Sequence, residues 1–146
     1  MSVEIRRADG DVEMEDLLAL RHRVFCVEQG VPKREEIDGR DGDAVHLVAV
    51  RVDGDGRRVV GTCRLLFVDR TVQLSRLAVD PSARRQGIAT LLLRAADREA
   101  EAAGSRRIVL HAQTYARSLY EGAGYRPRGR VFMESGIEHI AMEKLL

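Results

Sequence analysis

The residues that decide the reading of this chain are Leu77-Ala78-Val79-Asp80-Pro81-Ser82-Ala83-Arg84-Arg85-Gln86-Gly87-Ile88-Ala89. The apolar triplet closes a strand, Asp-Pro-Ser turns the chain, and Gly87 opens a helix. A strand, a turn and a helix N-terminus in that order leave backbone N–H groups without acceptors at the positive end of the helix dipole. Gly87 lets an anion approach the main chain and Arg84 and Arg85 add charge, so pyrophosphate is the guest that this pattern suits. No Gly-Lys-Ser/Thr follows, which excludes a Walker loop, and the glycine triplet of a dinucleotide fingerprint is missing. Taken alone, the stretch fits more readily a basic surface turn with a glycine at the helix start, since such turns are common.

Toward the N-terminus the pattern is a strand over residues 71–80. Val72 and Leu74 share one face, but Leu77 and Val79 continue the apolar series one residue out of phase, with Ser75 and Arg76 at the slip. A β-bulge produces such a slip and frees main-chain groups for a ligand. A strand buried on both faces, with Leu77 against a helix on the far side, gives the same pattern. Toward the C-terminus, residues 87–103 place Ile88, Leu91, Leu92, Ala95 and Ala102 on one helical face, interrupted by Glu99 and stopped by Gly104.

Further out, residues 3–6 read as a strand, and 12–25 as a helix carrying Val12, Leu17, Leu18, Val24 and Phe25. Strands over 44–52 and 58–67 are joined by the hairpin turn Asp53-Gly54-Asp55-Gly56. A strand over 107–112, a short helix over 114–121 and two strands around Ser135-Gly136 close the chain. Residues 30–43 are too charged for core and too long for a tight turn, and read as a functional loop or a short acidic helix. There is no repeat and no linker. Helices and strands alternate, so the expected class is α/β (α+β), as a single domain over 1–146.

Composition sets outer limits. At 146 residues, 45% hydrophobic and 32% charged, the chain can bury a core without metals or staples. Its 24 cations and 23 acids leave a formal charge of +1, so no global field recruits nucleic acid. Three Tyr, three Phe and no Trp provide few stacking platforms for bases. Cys26 and Cys63 have no metal-ligand spacing and read as core thiols of a reducing, cytoplasmic compartment, and no apolar run is long enough for a membrane span.

Two motifs make the sequence similar to the GNAT N-acetyltransferases. Arg84-x-x-Gly87-x-Ala89 matches the Q/R-x-x-G-x-G/A signature in its usual place after a Leu-Ala-Val strand end. Gln113-x-x-Ala116-x-x-Leu119-Tyr120-Glu121, followed by Gly124-Tyr125, resembles Asn-x-x-Ala-x-x-Leu-Tyr-Glu-Lys-x-Gly-Phe, with Gln for Asn and Gly122 for Lys. Val24-Phe25-Cys26-Val27-Glu28-Gln29, Glu36-Ile37-Asp38 and Gly136-Ile137-Glu138-His139 narrow the resemblance to the ElaA-like branch.

The resemblance implies a mixed central sheet of six to seven strands, about four helices and a splayed fourth and fifth strand. It implies acetyl-CoA (coenzyme A) as cofactor, held by Leu77, Ala78, Val79, Arg84, Arg85, Gln86, Gly87, Ile88, Ala89, Thr90, Gln113 and Tyr120. Strand N–H groups would stabilise the oxyanion, where one such donor is worth roughly 3 to 4 kcal/mol. Tyr120 would protonate the departing thiolate. The base that deprotonates the amine is read as Glu28 ahead of His46 and His111, since a lone strand histidine is more often a hydrogen-bonded core residue. Phe25, Glu28, Gln29, His46, His111 and His139 are expected at the acceptor pocket. The acids Glu35, Glu36, Asp38, Asp41 and Asp43 read as a solvated loop, with attraction of a cationic amine as the alternative. The expected activity is direct N-acetyl transfer to a primary amine in a ternary complex, a small molecule before a protein lysine. The rival is a catalytically silent acyl-CoA sensor. No metal, nucleic acid or membrane is expected, and a homodimer is in keeping with family habit.

Overall fold

The structure is a computed structural model that describes residues 2–54 and 56–146. Seven strands form one sheet: β1 (Ser2–Arg7), β2 (Val45–Asp53), β3 (Gly56–Val68), β4 (Thr71–Val79), β5 (Arg107–Gln113), β6 (Arg126–Glu134) and β7 (Ile137–Leu145). Their order is β1-β2-β3-β4-β5-β7-β6, and only β4 and β5 run parallel. A parallel pair needs a long crossover, here supplied by α3 (Ile88–Ala102). The other helices are α1 (Gly10–Arg21), α2 (Lys33–Glu36) and α4 (Arg117–Gly122). The mixed sheet with four helices is the expected fold. The turn read at 53–56 contains Asp55, which lies outside the described residues; Asp53 and Gly56 pair on either side of it.

Strand alternation divides the core between the two sheet faces. On one face, Leu47, Ala49, Val60, Leu65, Val72 and Leu74 pack with α3 and with Tyr120 of α4. On the other, Val48, Val50, Val59 and Ala78 pack with Leu17 and Leu20 of α1. Leu77 and Val79 pack against the same core as Val72 and Leu74. The slip is therefore a bulge, and the reading of Leu77 against a helix on the opposite side does not hold.

Two helical faces differ from the expected ones. In α3 the buried set is Ile88, Leu92, Leu93, Ala95, Ala96 and Ala100, while Leu91 is 38% exposed and Ala102 is exposed. Leu91 and Leu93 flank Leu92 at about 100° on either side, so periodicity alone does not choose between them. The helix expected over 12–25 divides: α1 ends at Arg21 and a π-helical turn covers His22–Glu28, with Gln29 N–H donating to Val24 C=O. Each wider turn rotates the following side chains, which turns Phe25 and Gln29 into the cleft described below. Val12, placed on the apolar face by spacing, is 71% exposed at the frayed start.

Gly61 on β3 sets how closely α3 sits. A Cβ there would lie 2.9 Å from Ile88 Cγ2 and 3.2 Å from Leu92 Cδ1. The first turn of α3 thus rests directly on the sheet backbone. Gly61→Ala should lower stability by about 1–3 kcal/mol through overpacking. Urea unfolding of the variant against the parent checks this.

Candidate active site

β4 and β5 pair at only three positions: Thr71 with Arg107, Val72 with Ile108 and Gln73 with Val109. Past Gln73 the strands part. The cause lies on the other edge of β4, where Thr62 pairs with Ala78 and Arg64 with Ser75, so Cys63 of β3 opposes both Arg76 and Leu77. Arg76 takes φ 57°, a strained value for a non-glycine residue, and completes the bulge. A cleft of about 810 Å³ opens in the resulting wedge. Leu77, Ala78 and Val79 line it from β4, Gln113 from the end of β5, and Leu119 and Tyr120 from α4.

At one end of the cleft the chain turns into α3. Asp80 fixes the turn: its carboxylate accepts from Ser82 N–H (3.0 Å) and Ser82 Oγ (2.7 Å), and pairs with Arg58 (3.1 Å) and Arg23 (3.3 Å). Burial alone would raise the Asp80 pKa, but the Ser82 bonds and the two guanidinium groups pull it down to about 2. Arg85 (φ 62°) and Gly87 (φ 78°) are both left-handed, a geometry in which successive amides converge on one concavity. Among the described residues, the amides of Arg85, Gln86, Gly87, Ile88, Ala89 and Thr90 have no backbone acceptor; the first is reached by Leu91, which donates to Gly87 C=O. Six unpaired donors thus stand at the start of a 15-residue helix, in the stretch where the sequence pattern suggested an anion site.

Arg84 has a different position from its neighbours. Its guanidinium is held by Glu28 (2.7 and 2.6 Å) and by Val79 C=O (3.0 Å). The pairing holds the Glu28 carboxyl below its usual range, and Glu28 does not line the cleft. A carboxylate already clamped by a guanidinium is a poor proton acceptor, so the structure does not bring Glu28 into an acceptor site as a base. Gln86 Oε1 accepts from Arg51 (3.2 Å).

His46 is likewise absent from the cleft. It is buried on the α1 side of β2, with Nε2 2.9 Å from Asp41 C=O. Beside it lies an ionic network that sequence reasoning missed. Arg21, fully buried, binds Glu36 through two bonds (2.8 and 2.7 Å) and Asp41 (2.8 Å). Arg64 binds Asp38 through two bonds of 2.8 Å, Asp41 at 3.1 Å and Ser75 Oγ at 3.1 Å. Arg64 holds the Asp38 carboxyl well below the usual range. Within the acidic stretch, Glu36, Asp38 and Asp41 are thus paired with arginines rather than left to solvent, while Glu35 and Asp43 are exposed as a solvated loop would have them. Arg64 and Arg76, charged residues inside apolar strands, were the signal.

Phe25, Gln29, His111 and His139 also line the cleft, with Glu134 and Ser135. Gln113 Nε2 donates to Gln29 Oε1 (2.9 Å), and Ser135 Oγ donates to Glu35 Oε1 (2.8 Å), so two bonds span the opening. Tyr120 lies at the inner wall, edge-on to Tyr125 with ring centroids 5.9 Å apart. Burial pushes its phenol above the ordinary value, keeping the proton on oxygen throughout the working pH range.

Residues 16–146 match the family model described as an acetyltransferase (GNAT) domain. The chain belongs to the GNAT acetyltransferase family. It is 33% identical to the Bacillus subtilis protein YjcF, named as an uncharacterized N-acetyltransferase, over 94% of this chain and 96% of that one. Crystal structures with the same fold include Escherichia coli ElaA (TM-score 0.84, 26% identity, 98% and 99% of the two chains). An acyl-CoA N-acyltransferase from Pseudomonas aeruginosa aligns with TM-score 0.80 and 30% identity over 99% of both chains. This GNAT protein is thus an acyltransferase, with acetyl-CoA as the family's acyl donor. Among its described residues, no helix is long and apolar enough to cross a membrane.

The depressed Asp80 pKa makes a signed prediction. A carboxylate whose pKa is lower in the folded state contributes stability above its unfolded value near 3.8, lost as pH falls toward about 2. Asp80→Asn should remove on the order of 2 kcal/mol at pH 7 and flatten the pH dependence between 4 and 2. Unfolding free energies of parent and variant across that range check the sign.

Proposed function

We propose that this protein transfers an acetyl group from acetyl-CoA to a primary amine by direct attack in a ternary complex. The observation that carries the reading is that the wedge opened by the β4 bulge runs to the turn into α3, where Arg84 and Ala89 line it beside the unpaired amides of residues 85–90. A cosubstrate with a pyrophosphate, an extended amide-bearing arm and a thioester needs that sequence of surroundings: an anion cradle, a free strand edge and a dry wedge. In this reading Arg85 to Thr90 receive the pyrophosphate, and Leu77, Ala78 and Val79 present main-chain groups to the arm and to the carbonyl oxygen. Gln113 stands at the far edge of the wedge. N–H donors placed where an oxyanion develops stabilise the tetrahedral intermediate without reorganising.

Tyr120 supplies the proton that the departing thiolate takes up. Its position on the cleft wall and its firmly protonated phenol support that role. The acceptor is a small-molecule amine in preference to a lysine of a folded protein. The Glu35–Ser135 and Gln29–Gln113 bonds across the opening support this, because they narrow access for a bulky partner. The free thiols Cys26 and Cys63, the latter buried with its pKa pushed up to about 12, fit a reducing cytoplasm.

Thermal unfolding with acetyl-CoA at about 100 times its Kd should show added stability of about 2.7 kcal/mol. No shift at millimolar acetyl-CoA contradicts the reading. Tyr120→Phe should lower kcat by about 100-fold or more while that thermal shift persists. Turnover is followed by thiol release in a screen of primary amines.

A further inference from the structure

Deprotonation of the amine lacks an owner once Glu28 and His46 lie outside the cleft, and the β5–β7–β6 end of the sheet holds a group suited to it. Directly opposed residues of antiparallel strands share a face, so Gln113 of β5, His139 of β7 and Phe132 of β6 lie in one row. Phe132 stacks on the His139 ring (centroids 6.0 Å, 24° between planes) and meets the His111 ring edge-on (5.0 Å, 78°). His139 is 7% exposed yet lines the cleft. Its Nδ1 is 2.7 Å from Ile137 C=O, and a carbonyl only accepts, so Nδ1 carries the hydrogen and neutral His139 keeps its lone pair on Nε2. Nε2 is 3.7 Å from Glu134 Oε2, while Glu134 Oε1 is 3.0 Å from His111 Nδ1.

We propose that His139 Nε2 is the general base that deprotonates the acceptor ammonium, with Glu134 and His111 as positioning residues. This rests on the acetyl-transfer reading above. His139 takes one proton from the R–NH3⁺ group and becomes an imidazolium facing the Glu134 carboxylate. The freed amine lone pair forms the C–N bond as the thioester C=O becomes an oxyanion. Collapse then breaks the C–S bond, and the thiolate takes the Tyr120 proton. The second proton leaving the nitrogen restores Tyr120, so one proton departs per turnover through His139. The pairing with Glu134 stabilises the charged imidazole, and the Ile137 carbonyl and Phe132 ring fix which nitrogen points outward. The other charged groups around His139 are His111 behind Glu134 on β5, and Arg34, Glu35 and Arg76 across the cleft on α2 and β4. Glu138, its neighbour on β7, is turned to Thr114 (2.9 Å).

Two readouts test this. The first needs no acceptor: 15N-imidazole NMR of the full chain should show neutral His139 as the Nδ1–H tautomer, with Nε2 free of hydrogen. An Nε2–H tautomer overturns the proposal. The second is thiol release from acetyl-CoA. With a primary alkylamine, His139→Gln should lose about 100-fold or more in turnover. With hydroxylamine, which is already neutral at pH 7.5 and needs no base, the same variant should stay within a few-fold of the parent. Equal losses with both nucleophiles mean a structural role and overturn the proposal. The acetyl-CoA thermal shift should persist in His139→Gln. Its absence in the parent counts against the transfer reading itself, while its presence beside a failed NMR or nucleophile test counts against His139 alone.

Discussion

The bulge at Arg76 and Leu77 governs the rest of this molecule. A parallel pair of strands that remained in register would close the sheet and leave no interior opening. Because one residue of β3 faces two of β4, β4 bends away from β5 after three pairs. The same extra residue keeps Leu77 and Val79 packed, partly buried, against the core that holds Val72 and Leu74. It also leads the end of β4 into the Asp80 turn, after which come the unpaired amides at the start of α3. A ligand site arises where the backbone cannot satisfy itself.

The ionic network is best understood as the bulge's support. Arg64 reaches Ser75 at the slip, and Arg76 donates from the strained position to Glu36 C=O (3.0 Å) on α2. Arg21 and Arg64 meet at Asp41, which ties α1, β3 and the acidic segment together. Buried ion pairs recover little net stability after desolvation, and a hydrophobic substitute of similar volume is often as stable. Their value here is positional: Arg21 and Arg76 hold Glu36 of α2, and Arg64 holds Asp38 and Asp41 just after it, so together they keep this segment along the bulged strand. That arrangement also sets the acceptor side of the cleft, since α2 carries Glu35 to Ser135.

Much of this was legible in the residues. The Leu74-to-Leu77 slip marked the bulge, and the strand-turn-helix order around Gly87 marked the row of unpaired amides, because both depend on local backbone geometry. Tyr120, Gln113, Phe25, Gln29, His111 and His139 came together in one cleft, as the resemblance implied. What failed were assignments that depend on partners far apart in sequence. Glu28 and Arg84 satisfy each other across 56 positions, and no local pattern shows that. The acidic segment looked solvated because its arginines, Arg21, Arg64 and Arg76, lie on three other elements. His46 carries no local mark that separates a buried histidine from a cleft histidine. Gly61 gave no signal either, although the approach of α3 depends on it.

The central claim is that the amides of residues 85–90 and the freed edge of β4 together receive acetyl-CoA. Amide hydrogen exchange, measured with and without saturating acetyl-CoA, addresses those groups directly. The account predicts that exchange slows in two separate segments, residues 77–79 and 85–90, with little change along β1, β2 and α1. Slowing confined to other segments, or none in either of these, would contradict it.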